Sequence, residues 1–346
     1  MNPCKRVMYV VLAHVLLLGG VCSSLNAYEA YTINRAMRPG INLGNALEAP
    51  QEGEWGVTLD ESYFKLIASK GFRSVRIPIR WSAHASATDP YTIDPAFFER
   101  VEWVIEQAFL NGLMVIINFH HYEEMYASPD DELPRFLGLW KQVAERFQHH
   151  SNNRLLFEIF NEPHDAFTPE KWNQVIPQAL AVIRESNPRR TVLIGTAEWG
   201  GVRHIDKLVL PADDNLILTI HYYEPFQFTH QGAAWSGPQA QEWLGTRFEG
   251  SEEEVQLIRS HMDQIVAFAS QTGIPVNIGE FGSYEVADAE SRAVWTDTVA
   301  RLFESYGFSW HYWEFASSFG IYDPETGFFK QPLLEALIPG SSGPSL

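Results

Sequence analysis

Leu155-Leu156-Phe157-Glu158-Ile159-Phe160-Asn161-Glu162-Pro163 is an apolar run that stops at a glutamate and breaks at once into proline. Pro275-Val276-Asn277-Ile278-Gly279-Glu280-Phe281-Gly282 repeats the pattern far down the chain. Short apolar runs of this kind suit strands covered on both faces, as in a parallel sheet. Working outward, similar runs fall at 40–43, 74–79, 114–119, 191–195, 216–220 and 308–313, and we read them without period-two alternation. Amphipathic stretches lie between them, at 60–70, 95–111, 134–149, 169–186, 252–271 and 287–305, with shorter ones at 202–208 and 333–337. Asp94-Pro95, Thr168-Pro169 and Ser251 before three glutamates are helix-start signals, and Gly71, Gly112, Gly273 and Gly307 are helix-stop signals. Eight strand–helix units predict an α/β fold, a (β/α)8 TIM barrel forming a single domain over residues 28–346. The competing doubly wound sheet needs a glycine-rich phosphate loop, and Ile41-Asn42-Leu43-Gly44-Asn45 lacks its third glycine.

The chain has 346 residues, 20% of them charged, and a formal net charge of −18 spread without acidic runs. That balance argues against nucleic acid or an anionic membrane as partner and suits a neutral or cationic ligand. Residues 1–27 stand apart. Lys5 and Arg6 precede an apolar stretch at 7–21, followed by Cys22-Ser23-Ser24-Leu25-Asn26-Ala27. A positive flank, a short apolar core and a small polar exit describe a secretory signal peptide, with an uncleaved anchor as the alternative. Both cysteines, Cys4 and Cys22, belong to this segment. The mature chain is then expected to be secreted and to hold neither disulfides nor thiolate zinc sites.

Parallel strands gather their C-terminal ends at one mouth, where barrel chemistry is done. Reading the strand ends in turn gives Asn42 and Asn45, Arg76, His120-His121-Tyr122, Asn161-Glu162, Glu198-Trp199, His221-Tyr222-Tyr223, Glu280 and Trp313-Glu314. Two carboxyls among hydrogen-bonding groups and aromatic faces suit the cleavage of a glycosidic bond in a neutral polyol. Glu158 shares the parity of Glu162 within its strand, so it faces inward and needs a cation, Arg76 or a histidine. Arg76 in turn reads as a buried ion pair that holds a catalytic glutamate. Glu123, Glu124, Glu224 and Glu314 read as rim or structural acids. Trp55, Trp81, Trp199, Trp235 and Trp313 are candidate sugar platforms, Trp313 foremost. A metal-dependent hydrolase is the rival for His120-His121, but Asn-Leu-Gly-Asn stands where a His-x-His pair is wanted. A non-catalytic glycan-binding barrel is a second rival, which has no need for both glutamates.

As a set, Asn161-Glu162-Pro163, Glu280-Phe281-Gly282, Arg76, His120-His121-Tyr122, His221-Tyr222-Tyr223 and Trp313 resemble the signature of glycoside hydrolase family 5, of clan A. INLGNALEAP, VRIPIRW, IGTAEWGG and HYYEPFQFTHQGA resemble a bacterial endo-β-1,4-glucanase branch that includes hyperthermophilic cellulases also acting on mannan. The resemblance implies a retaining endoglycosidase with Glu162 as acid/base and Glu280 as nucleophile. It implies that Asn161 holds the sugar 2-hydroxyl, that His221 and Tyr223 flank the carboxylates, and that Arg76 supports Glu280. His120 and His121 would bind hydroxyls, Trp313 would be the platform, and Asn42 and Trp235 would assist. The partner is then a β-linked polysaccharide substrate, with no metal or cofactor expected and the chain acting as a monomer; a β-mannanase or dual enzyme is the alternative within the family.

Overall fold

The computed structural model describes residues 29–341. The predicted leader, residues 1–27, lies outside them. Eight strands close in sequence order into a parallel barrel: β1 (Gly40–Asn42), β2 (Ser74–Ile77), β3 (Met114–Asn118), β4 (Leu155–Glu158), β5 (Val192–Gly195), β6 (Leu216–His221), β7 (Val276–Glu280) and β8 (Ser309–Tyr312). Closure is direct, with Gly40 opposite His311 and Ile41 opposite Tyr312. All eight predicted strands are present, and the expected (β/α)8 barrel is the fold.

A helix, α1, occupies residues 29–37 before the first strand. Around the barrel run α2 (Glu61–Ser69), α3 (Pro95–Leu110), α4 (Glu123–Ala127), α5 (Pro129–Phe147), α6 (Pro169–Ser186), α7 (Phe226–Thr229), α8 (Glu252–Thr272), α9 (Ala289–Ser305) and α10 (Gln331–Leu337). The caps are local chemistry. Asp94 accepts from the Ala96 N–H before Pro95, Thr168 from the Lys171 N–H, and Ser251 and Glu254 form a reciprocal capping box. Gly273 ends α8 at φ 71°, a left-handed turn that a Cβ would strain. Two helices depart from expectation. The fourth unit's helix, α5, starts at Pro129 rather than 134, because Asp130, Asp131 and Glu132 favour its positive end while Pro134 forfeits only one N–H bond. The fifth unit's helix is a 3-10 turn, Val202–Lys207.

The strands also alternate more than their apolar content suggests. Val75, Ile77, Ile117, Phe157, Ile278 and Trp310 face outward into an apolar ring packed under the helices. Ser74, Arg76, Asn277, Ser309 and His311 are buried and bonded across the barrel to one another or to other inward residues. The polar half of the pattern fills the inside, which is why the runs still end as fully buried strands. Beneath it, Ile116, Leu156, Leu193 and Ile217 pack against Ala30, Ile33 and Met37 of α1, which closes the floor.

Candidate active site

The inward polar residues of β1, β2, β4 and β7 converge on Arg76. Its Nε and Nη2 bond the two Glu158 oxygens at 2.6 and 2.7 Å, and Nη1 bonds Glu280 Oε1 at 2.7 Å. Nη1 also reaches Asn42 Oδ1 at 2.9 Å, and Nη2 reaches Asn161 Oδ1 at 2.8 Å. Five N–H groups thus make five bonds, which is the full donor capacity of a guanidinium. The charges of Glu158 and Glu280 outweigh the cost of burial and hold Arg76 cationic. Glu158 therefore has the partner its parity demanded. Asn42 is fully buried, and its amide nitrogen lies 2.9 Å from the Gly279 carbonyl. It orients Arg76 through its oxygen, while its nitrogen is taken up by backbone carbonyls of β7 and β8.

Glu280 ends β7, 7% exposed, and accepts a second bond from Tyr223 Oη at 2.9 Å. Burial pushes its carboxyl up, but His221, Arg76 and Tyr223 more than offset this and hold it below the usual range. Glu162 sits two bonds' reach away on the loop after β4, 21% exposed, with its Oε1 2.6 Å from His221 Nδ1. Burial dominates there and raises its carboxyl, with the His221 bond opposing. Ligand atoms of Glu162, His221 and Glu280 all lie within 4.8 Å of one another. The two carboxyls are therefore close, and their proton affinities are pushed apart by their surroundings, the condition under which one serves as acid and the other as base. His221 approaches because β7 carries glycine at 279, where a Cβ would stand 2.5 Å from Thr219 Oγ1 and 3.1 Å from His221 Nε2.

His120 is neutral, held well below its usual value by burial and by neighbouring His121 and Arg76. Asn118 accepts from the Ile79 N–H, so its amide donates to His120 Nδ1 at 3.2 Å. That fixes Nε2 as the protonated nitrogen, a donor for an incoming group. Burial and the Arg80 charge bring His121 to about 4; its ring meets Trp55 edge-on at 5.4 Å. Trp313 is half-buried, with its ring nearly parallel to His120 at 5.9 Å. Trp235 is exposed, with its ring edge-on to Tyr284 at 5.0 Å. Trp55 and Trp199 are exposed as expected, but Trp81 is not a platform: it is fully buried with its indole N–H bonded to the Asn118 carbonyl. Non-glycine residues with positive φ cluster at the mouth, at Asn45, His121, Glu162, Glu198 and Trp199. Each costs of the order of 1–2 kcal/mol and marks loops shaped for contact rather than for stability.

Two further acids lie inside. Glu314, read as a rim or structural acid, is fully buried and so not at the rim, and Glu48, which the sequence reading did not single out, is fully buried as well. The signal for Glu48 was its setting, Ala46-Leu47-Glu48-Ala49-Pro50, an acid between apolar neighbours.

A closed parallel barrel with two adjacent, oppositely shifted carboxyls at its C-terminal mouth defines a glycoside hydrolase of the kind that works with its carboxyls close together. The chain belongs to the cellulase family, glycosyl hydrolase family 5, whose pattern matches residues 39–318. A structure of Thermotoga maritima Cel5A with cellobiose superposes with a TM-score of 0.88 at 47% identity, covering 89% of this chain and 100% of that one. The same enzyme with mannotriose gives 0.87 at 47% identity, covering 89% and 100%. Endoglucanase H of Acetivibrio thermocellus is 36% identical over 93% of this chain, which spans 35% of that protein's length. The chain thus covers about a third of this curated relative.

Proposed function

We propose that the protein is a secreted, retaining endo-β-1,4-glucanase that hydrolyses internal bonds of cellulose and related β-glucans. The observation that carries this reading is the pair Glu162 and Glu280, within 4.8 Å and shifted in opposite directions. Glu280, ionised, attacks the anomeric carbon while Glu162 gives its proton to the leaving oxygen, through an oxocarbenium-like transition state. Water then hydrolyses the glycosyl ester, with Glu162 taking the water's proton. Esterification removes the Glu280 charge, which lowers the proton affinity of Glu162 and readies it as base.

The supporting residues follow from their bonds. Arg76 and Tyr223 hold Glu280 in place and ionised, and His221 orients Glu162. Asn161 gives its oxygen to Arg76, so its amide nitrogen serves the sugar 2-hydroxyl. His120 and His121 bind hydroxyls, Trp313 supports the reacting sugar, and Trp235 serves a more distant one. The basic and apolar segment at 5–21 supports export, and the mature chain is proposed to act as a monomer without metal or cofactor.

Endoglucanase H and the cellobiose complex favour a glucan substrate. The mannotriose complex of the same neighbour favours a second reading, a dual glucanase and mannanase. Proton NMR of the first product tests the chemistry: the β anomer must appear first, and an initial α anomer would sink the double displacement. Initial rates on cellulose, mixed-linkage glucan, xyloglucan and mannan separate the two substrate readings.

A further inference from the structure

Behind Trp313 lie two acids that the proposed mechanism does not use. Glu48, on the loop after β1, accepts the backbone N–H groups of Asn45 and Ala46. Glu314, on the loop after β8, follows Trp313 directly, and neither of its buried oxygens has a well-formed hydrogen-bond partner. Gly44 joins them: a Cβ there would stand 2.5 Å from Glu314 Oε2 and 2.8 Å from the Trp313 ring. The absence of a side chain at 44 lets the carboxyl and the indole pack on the same stretch of backbone whose next two N–H groups bind Glu48. Asn45 completes the contact through Ser317 Oγ at 2.7 Å.

We propose that Glu48 and Glu314 are positioning residues for the hydrolytic reaction, two buried carboxyls of which at least one is kept as the neutral acid, locking the β1 loop to the β8 loop and fixing the Trp313 indole. The inference rests on the glycosidase reading for its functional part only. Two ionised carboxylates in this buried setting, with no cation paired to either among the described residues, would each lack a counter-charge. Burial raises Glu48 to about 7 despite its backbone bonds, and raises Glu314 to about 8, with the Glu48 charge adding to the effect. The other groups facing the pair do not relieve it. Glu280 of β7 adds a further negative charge to both, Ser317 and the Phe319 N–H offer only neutral dipoles, and Arg292 of α9 lies beside the Tyr312 phenol, bonding the Phe319 carbonyl at 3.2 Å. Above about pH 8 both acids ionise, the two loops repel, and the indole loses its fixed place.

The test uses the folded Glu162→Gln protein, which retains the pair but removes the proton of the acid/base. Infrared spectra around pH 7 should show a protonated-carboxyl band that shrinks when Glu314→Gln or Glu48→Gln is added. Affinity for cellotetraose, followed by tryptophan fluorescence, should weaken about tenfold between about pH 7 and 9, and either added Gln should flatten that dependence. Glu314→Ala should weaken binding at every pH, with Gln restoring it, since Gln keeps the shape of the neutral acid. A pH-independent affinity in the parent, or a slope in both Gln variants as steep as the parent's, would overturn the proposal. If Glu314→Gln fails to fold, Glu48→Gln reads the same pair. Failure of cellotetraose to bind at any pH would count against the glucanase reading, and the infrared band would then decide the protonation of the pair by itself.

Discussion

At the floor of the barrel a set of neutral groups is closed on itself, whereas at the mouth a charged set is left open on one side. On the floor, Ser74 Oγ donates to the Met37 carbonyl and so accepts from His311 Nε2 at 2.8 Å. Asn277 donates to His311 Nδ1 at 3.1 Å and to Ser309 Oγ at 2.8 Å, and Ser309 passes its own proton to Asn34 of α1 at 2.7 Å. Burial holds His311 down at about 3, so this network carries no charge at any working pH. At the mouth the same strands deliver Arg76, Glu158 and Glu280, and every donor of the cation is spent on holding acceptors in place. Satisfied polar groups in a barrel are thus not by themselves a site. The site is where titratable groups have opposing shifts and one face remains for a ligand.

Substitution should separate the two ends, with the largest losses at the mouth. Glu280→Gln is expected to cut kcat on barley glucan by on the order of 10⁴-fold, and Glu162→Gln by roughly 10²–10⁴-fold, with folding unchanged by circular dichroism. Near-normal rates in either would break the distinction. The pH dependence should be a bell. Glu280 is depressed, so activity persists until pH falls through its lowered value; Glu162 is raised, so activity fails as pH rises through a value above the usual carboxylate range. Beyond either limb kcat/KM should change tenfold per pH unit.

Arg76→Met leaves Glu158 and Glu280 as uncompensated buried charges, and should cost about 3–5 kcal/mol in urea unfolding together with most of the activity. Asn277→Ala on the floor strands His311 and Ser309 and should cost about 1–3 kcal/mol, while kcat/KM of the folded protein stays within about twofold. A large kcat loss from that floor variant would mean the two ends are coupled. Dialysis against a chelator should leave activity unchanged. Loss of activity restored by a divalent cation would reassign Glu162, His221 and Glu280 as metal ligands.

The barrel and its two carboxyls were legible because strand ends carry their own punctuation: Glu162 before Pro163, and Glu280 before Phe281-Gly282. Arg76 and Glu158 were legible because a charge within a strand has to find its opposite. Partner identity was harder where it depends on loops. Asn42 was legible as a strand-end residue at the mouth, but its partners, the Gly279 carbonyl and Arg76, are fixed only when the barrel closes. Trp81 follows a strand as Trp313 does, but its ring is fully buried against Phe97, Phe98 and Phe119. Glu48 and Glu314 are brought together only when β1 meets β8, and no local pattern records that meeting. The α1 helix escaped notice because its apolar side is three residues, Ala30, Ile33 and Met37, aimed at a cavity that exists only in the finished barrel.

That helix also dictates when the molecule can come into being. Asn34 reaches the Val276 carbonyl and the Ser309 hydroxyl, and β1 finds its second neighbour only in β8. The segment before β1 thus waits for the eighth strand before its contacts exist. A nascent chain halted short of Tyr312 has two raw sheet edges and an uncovered floor, both invitations to pair with another chain. Assembly of the barrel is therefore all-or-nothing: no piece of it that stops before β8 is closed, and any helper that keeps the emerging strands apart must hold them until the eighth is made.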